Sequence, residues 1–176
     1  MRITFRELDF QPKPIELEGT VKLEGLEKET PDLLQLDPVK VRVTAWKEQE
    51  IYPVQGKQTT NVVLRCSRCL TSFEKSLEME WDETFADVNR VNPEDEGEDE
   101  EGEELLLVDI HQPTDLTPVI VQALLLHLPF APVCDEHCKG LCPQCGTNWN
   151  HESCQCDNQR VDPRMAKLEE LLKRED

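Results

Sequence analysis

Six of the chain's eight cysteines fall between Cys134 and Cys156, and the other two form the isolated pair Cys66 and Cys69. No other feature limits the fold as much, because eight thiols in 176 residues must be oxidised, buried or bound. The C-terminal run reads Cys134-x3-Cys138-x3-Cys142-x2-Cys145-x8-Cys154-x1-Cys156. A Cys-x2-Cys beside Gly146 is the knuckle spacing that lets two thiolates and nearby amides converge on one tetrahedral ion. Eight thiolates fill two sites of four, so two structural zinc ions are the expected cofactors.

Disulfides, a redox pair and an iron–sulfur cluster compete with that reading. The stretch from Met1 to Glu7 has neither an apolar core of signal-peptide length nor a small-residue cleavage site, which predicts a reducing compartment. A redox Cys-x2-Cys sits where a strand passes into a helix, whereas Cys66 and Cys69 lie between two segments that alternate like strands.

Chain reach groups the ligands. Cys142, Cys145, Cys154 and Cys156 make a compact site, because the loop from Gly146 to Ser153, with Asn148 and Asn150 as turn formers, closes easily. Cys66 and Cys69 are then left with Cys134 and Cys138, so the second ion staples the N-terminal strands to the C-terminal segment. His137 and His151 are the alternative ligands, either able to replace one cysteine in either site, and rank as bystanders because four thiolates at each site need no histidine.

With only 38% hydrophobic residues the core is modest, and metal binding is the usual way such a chain gains stability. The formal charge of −18 is concentrated locally: Glu94 to Glu104 holds nine carboxylates with Gly97 and Gly102. Such a tract repels itself and buries nothing. It reads as a solvated loop, or more sharply as a lure for a basic protein or a mimic of a phosphate backbone. No apolar run is long enough to span a membrane.

Val39 to Trp46 alternates as a half-buried strand, Thr60 to Arg65 leads into the first cysteine pair, and Leu77, Met79, Trp81 and Phe85 resume the pattern after it. That places the pair at a hairpin tip. Ile15 to Gly19 and Val21 to Gly25 predict two short strands, each ended by glycine, and Leu105 to Ile110 a buried strand. Thr117 is the expected N-cap of a helix running to about Leu128, with Pro118 in its first turn and Val121, Leu124, Leu125 and Leu128 facing the core. His127 borders that stripe as a packed or partly exposed residue. A second helix opens at Asp162-Pro163, with Met165, Leu168, Leu171 and Leu172 on one face, and docks on this chain or on a partner.

The expected fold class is α+β: an antiparallel sheet or partly closed β-barrel with one or two helices and a C-terminal zinc-ribbon-like segment. The divisions are a β-rich region over 1–91 with the Cys66–Cys69 knuckle, an acidic flexible loop over 92–104, and a strand plus helix over 105–133 packing on the β region. A zinc-binding segment over 134–160 and a C-terminal helix over 161–176 complete the chain.

Several blocks of sequence resemble the YceD family, the large ribosomal RNA subunit accumulation proteins, in its cysteine-rich bacterial and plastid form. They are Leu64-Arg65-Cys66-Ser67-Arg68-Cys69-Leu70, Asp115-Leu116-Thr117-Pro118 with Leu124 to Pro129, Cys138-Lys139-Gly140-Leu141-Cys142-Pro143-Gln144-Cys145-Gly146, Cys154-Gln155-Cys156, and Asp162-Pro163-Arg164. The resemblance implies a factor that is not an enzyme and that supports accumulation of large-subunit (23S) ribosomal RNA, in the bacterial cytoplasm or, for a trimmed plastid protein, the stroma.

Contact with RNA must survive the charge, because phosphate contacts dominate nucleic-acid affinity. Between Val39 and Cys69 the balance reverses, and Lys40, Arg42 and Trp46 on one strand face, with Arg65 and Arg68 beside the knuckle, form a candidate RNA patch. The plain alternative is a solvated sheet face with cross-strand pairs. Two roles follow: an assembly factor meeting ribosomal RNA or a precursor particle through this patch, or an acidic chaperone holding a basic ribosomal protein. A metal-dependent hydrolase needs an open ligand position, which four thiolates per ion do not leave.

Overall fold

The computed structural model describes residues 1–11, 13–90 and 105–157. Its frame is a long antiparallel hairpin of β5 (Ile51–Arg65) and β6 (Ser72–Asp87), in register from Ile51 opposite Ala86 to Arg65 opposite Ser72. The lower half of β5 also pairs with β4 (Val39–Ala45), and its upper half with β3 (Leu33–Leu36). β2 (Ile15–Val21) lies outside β4, and β7 (Leu106–Val108) runs parallel to β6 at the other edge. Among the described residues β2 and β7 do not pair, so the sheet is open rather than closed into a barrel. β1 (Arg2–Ile3) and β8 (Thr114–Asp115) form a separate two-stranded ribbon. A single helical turn, α1 (Leu26–Glu29), precedes β3.

Period-two alternation decides which face is buried. Val39, Val41, Val43 and Ala45 of β4, even-numbered residues of β5 from Tyr52 to Leu64, and Leu77, Met79, Trp81 and Phe85 of β6 turn inward. Helix α2 (Thr117–His127) lies against that face, with Ile120 and Leu124 fully buried. One core gathers Phe5, Val43, Tyr52, Trp81, Phe85, Ile110 and Ile120, and a second gathers Leu33, Val62, Leu64, Met79 and Leu124. A third, at the hairpin tip, consists of Cys66, Cys69 and Cys138 with Phe73, Val133 and Leu141 against them.

Four expectations need correction. Ile15 to Val21 is one strand running through Gly19, where Met1 packs closely, and Val21 to Gly25 is not a second strand; Gly25 instead caps α1 at φ +94. Thr117 is the first helical residue, not the cap. Asp115 accepts its backbone N–H at 3.1 Å and its hydroxyl at 2.7 Å. The inward face of α2 is Val119, Ile120, Ala123 and Leu124, while Leu125 is exposed and Val121 and Leu128 only half-buried. The strand expected over Leu105 to Ile110 shortens to β7, with Leu107 exposed. The acidic tract 92–104 and the helix expected over 161–176 lie outside the described residues.

Candidate metal centre

The β5–β6 turn is a knuckle held by its own backbone. Cys66 N–H donates to Thr71 O and Leu70 N–H to Cys66 O, both at 2.9 Å, with Leu70 left-handed at φ 59. The Cys142–Thr147 segment repeats it: Cys142 N–H donates to Thr147 O at 2.8 Å, Gly146 N–H to Cys142 O at 2.9 Å, and Gly146 has φ 75. In both, a threonine two residues past the second cysteine puts its hydroxyl on that sulfur, Thr71 3.4 Å from Cys69 Sγ and Thr147 3.1 Å from Cys145 Sγ. The shared signature, Cys-x2-Cys-x-Thr, is legible in the sequence, and its threonines escaped the sequence reading.

Chain crossing at the tip brings up the remaining sulfurs. After α2, Pro132 O accepts the backbone N–H of Ser67 at 2.7 Å and its hydroxyl at 3.0 Å. Arg68 donates through its guanidinium to the carbonyls of Glu136 and Cys138, at 3.2 and 3.1 Å, and its own carbonyl accepts Leu141 N–H at 3.1 Å. Cys134 and Cys138 thereby join Cys66 and Cys69, and Cys142, Cys145, Cys154 and Cys156 form the second set; within each, all four sulfurs lie within 4.8 Å of one another. This is the grouping that loop length and elimination predict. His137 and His151 are exposed and belong to neither set.

Sulfur spacing discriminates between chemistries. Cys66 Sγ lies 3.8 Å from Cys138 Sγ, and Cys69 Sγ 3.6 Å from Cys134 Sγ. A tetrahedral ion with arms of about 2.3 Å spaces its ligands by about 3.8 Å, whereas a disulfide needs about 2.05 Å. No disulfide joins any of the eight. The donor sets therefore fit one tetrahedral metal ion each.

The electrostatics lead to the same need. Burial opposes ionisation of Cys66, but the amides of Cys69, Cys134 and Arg68 outweigh it and bring the thiol down to about 6. Cys134, hydrogen-bonded to the Cys69 sulfur, is pushed up to about 12. The second set behaves alike: the Cys145 amide leads in lowering Cys142 to about 6, and Cys156 beside Cys145 rises to about 12. Each knuckle thus favours thiolate while Cys134 beside the first and Cys156 beside the second resist further negative charge. A central divalent cation removes that conflict.

The candidate RNA patch is not brought together. Lys40 lies opposite Thr59, and Arg65 is six residues further along β5, a separation of about 20 Å at about 3.3 Å per residue. Arg42 pairs with Glu18 at 3.3 Å and Lys57 with Glu80 at 2.7 Å, so one cross-strand row reads Glu18, Arg42, Lys57, Glu80. Over this outer face four exposed cations, Lys40, Arg42, Lys57 and Arg65, meet six exposed carboxylates, Glu16, Glu18, Glu74, Glu78, Glu80 and Asp82. Arg68 is committed to carbonyls, and Trp46 is half-buried past the end of β4, beside Leu8, Phe10 and Lys47.

Residues 54–172 match the sequence model of the YceD family, large ribosomal RNA subunit accumulation protein. A Mycobacterium tuberculosis protein is 37% identical over 140 residues, which is 80% of this chain and 62% of that protein. The chain thus spans less than two thirds of the length of its mycobacterial relatives. YlbN of Bacillus subtilis is 30% identical over 182 residues, 100% of this chain and 99% of its own. A chloroplastic large ribosomal RNA subunit accumulation protein homologue of Arabidopsis thaliana is 25% identical over 165 residues, 82% of this chain and 51% of its own. No solved structure matches the chain significantly. The family match takes in both cysteine tetrads and nearly all of the central hairpin, and the Bacillus relative extends it over the whole sequence: the chain belongs to the YceD family.

Proposed function

We propose that the protein is a non-enzymatic factor of large-subunit ribosome biogenesis that supports accumulation of 23S ribosomal RNA in the cytoplasm, with one zinc ion fixing its C-terminal segment to the sheet and a second closing that segment on itself. The observation that carries the reading is the family match over 54–172, which contains all eight cysteines. Zinc is favoured because tetrahedral, all-thiolate sites suit it, and four protein ligands make such an ion structural.

The partner that best fits the surface is a precursor particle rather than naked RNA. Six carboxylates among four cations on the open sheet face supply little net attraction for a phosphate backbone. On an assembling particle, proteins and counterions already neutralise part of that charge. Gradient sedimentation of cell extract tests this: the protein is expected to travel with large-subunit precursors, and its depletion to lower 23S relative to 16S RNA. Sedimentation only at the top of the gradient, with RNA levels unchanged on depletion, would refute it.

The acidic carboxylates also support a second role, holding a basic ribosomal protein until RNA displaces it. Two variants separate the roles. Reversal of Lys40, Arg42 and Arg65 to Glu, leaving Arg68 in its contacts with the Glu136 and Cys138 carbonyls, abolishes particle association if those cations make the contact, and deletion of 94–104 abolishes capture of basic proteins if the tract does.

A further inference from the structure

The loop that closes the second tetrad reaches back to the first. Asn150 lies between Cys145 and Cys154, yet its Nδ2–H donates at 3.3 Å to the sulfur of Cys138, a member of the other set. Its Oδ1 accepts the Lys139 backbone N–H at 2.8 Å, so one side-chain amide grips both the sulfur and the following peptide of a first-tetrad residue. Asn148 fixes Asn150 in turn, its Oδ1 accepting the Asn150 backbone N–H at 3.0 Å and side-chain N–H at 2.8 Å. Next to it, Trp149 N–H donates to Gly140 O at 3.0 Å. Gly140, left-handed at φ +77, packs so closely on Arg68 that a Cβ there would sit 3.1 Å from the Arg68 carbonyl oxygen.

Four thiolates around a divalent ion carry a net charge of −2, and donors to the sulfurs are what make such a charge tolerable in a buried place. Cys138 is buried, whereas Asn150 sits on an exposed loop whose shape the second tetrad sets. We propose that the two tetrads take up metal as one unit, with Asn150 as the positioning residue that couples them. Closing the 146–153 loop over one ion sets the donor that completes the sulfur environment of the other. Coupling of this kind is reciprocal, so filling the first tetrad fixes Cys138 and Lys139 and favours the closed loop. The inference rests on the metal reading above and adds to it a coupling between the two sites.

Zinc titration of the metal-free full chain in a chelator-buffered series tests it, with each cysteine read by alkylation and peptide mass mapping. In the wild type both tetrads are expected to become protected at the same free zinc. In Asn150→Ala joint protection is expected to be lost: the first tetrad requires about 10-fold to 100-fold more free zinc, the usual effect of losing an outer partner of a metal ligand, and the second, no longer helped by the filled first site, also moves to higher free zinc. Asn150→Asp keeps the acceptor for Lys139 but has no N–H for the sulfur, and is expected to behave as alanine does. Amide exchange in β4 and the lower half of β5 verifies that each variant is folded. Unchanged joint protection in Asn150→Ala, or a wild-type midpoint restored by Asp, overturns the coupling. Wild-type thiols that zinc never protects would sink the metal reading itself, and the coupling with it.

Discussion

Tyr52, the chain's one tyrosine, donates at 2.8 Å to an Asp9 oxygen that also receives Lys47 at 2.7 Å. Burial first, and the Asp9 carboxylate second, push the phenol up to about 12. A folded-state pKa above the ordinary 10 stabilises fully below pH 10, and the contribution is lost as pH rises through 12. Tyr52→Phe is therefore expected to lower stability by about 1 kcal/mol at pH 8 and to show a smaller further loss than the wild type at pH 11, measured by denaturant midpoints. An equal alkaline loss in both would show that Tyr52 is not the group that titrates. Gly56 marks a residue the sequence reading passed over. A Cβ there would lie 2.0 Å from the Trp81 ring, so Gly56→Ala must displace the indole, at about 1–3 kcal/mol or more by thermal melting. Glycine and Pro53 disguise the lower half of β5 as a break, because what makes glycine necessary is a ring 25 residues away in sequence, a contact that local pattern does not record.

Helix α2 shows why an element is easier to find than to orient. Valine, isoleucine, alanine and leucine cover most of its circumference, so helical periodicity locates it but leaves its phase open. The sheet sets the phase through a polar tie. Buried Gln58 donates to Ile120 O at 3.0 Å and accepts Trp81 Nε1–H at 3.2 Å. Gln58→Leu keeps the volume roughly constant but leaves a buried indole N–H without that acceptor, which costs about 1–3 kcal/mol. Chemical denaturation that found the variant as stable as the wild type would show that the tie is dispensable. The hairpin, by contrast, was legible at its cysteine end, where alternation and two closely spaced thiols coincide. The knuckle repeat was half-legible: the cysteines stand out, and the threonines behind them look like any surface residue until the backbone turn places their hydroxyls.

At the scale of the molecule, the fold divides into a sheet whose two main cores contain no cysteine and a C-terminal segment whose contacts with the tip cluster around the first tetrad. Chelation is expected to free the segment without melting the sheet. Hydrogen exchange is expected to lose protection at Ser67, Leu141 and Cys142, whose amides bond across or within the knuckles, and to keep it at Val43 and Val54. Global unfolding on chelation would contradict this. Ligand grouping was legible because loop length and counting suffice for it, whereas the dispersal of the cationic patch was not, since residues neighbouring in sequence are carried apart by an extended strand. One consequence concerns the order in which the chain is made. Cys66 and Cys138 stand 72 residues apart, and at roughly 5–20 residues per second a translating ribosome needs about 4–14 s to make that stretch. Through that interval the first pair of sulfurs has to remain reduced, so the compartment in which the chain is made, and not only the finished fold, decides whether the tetrad ever forms.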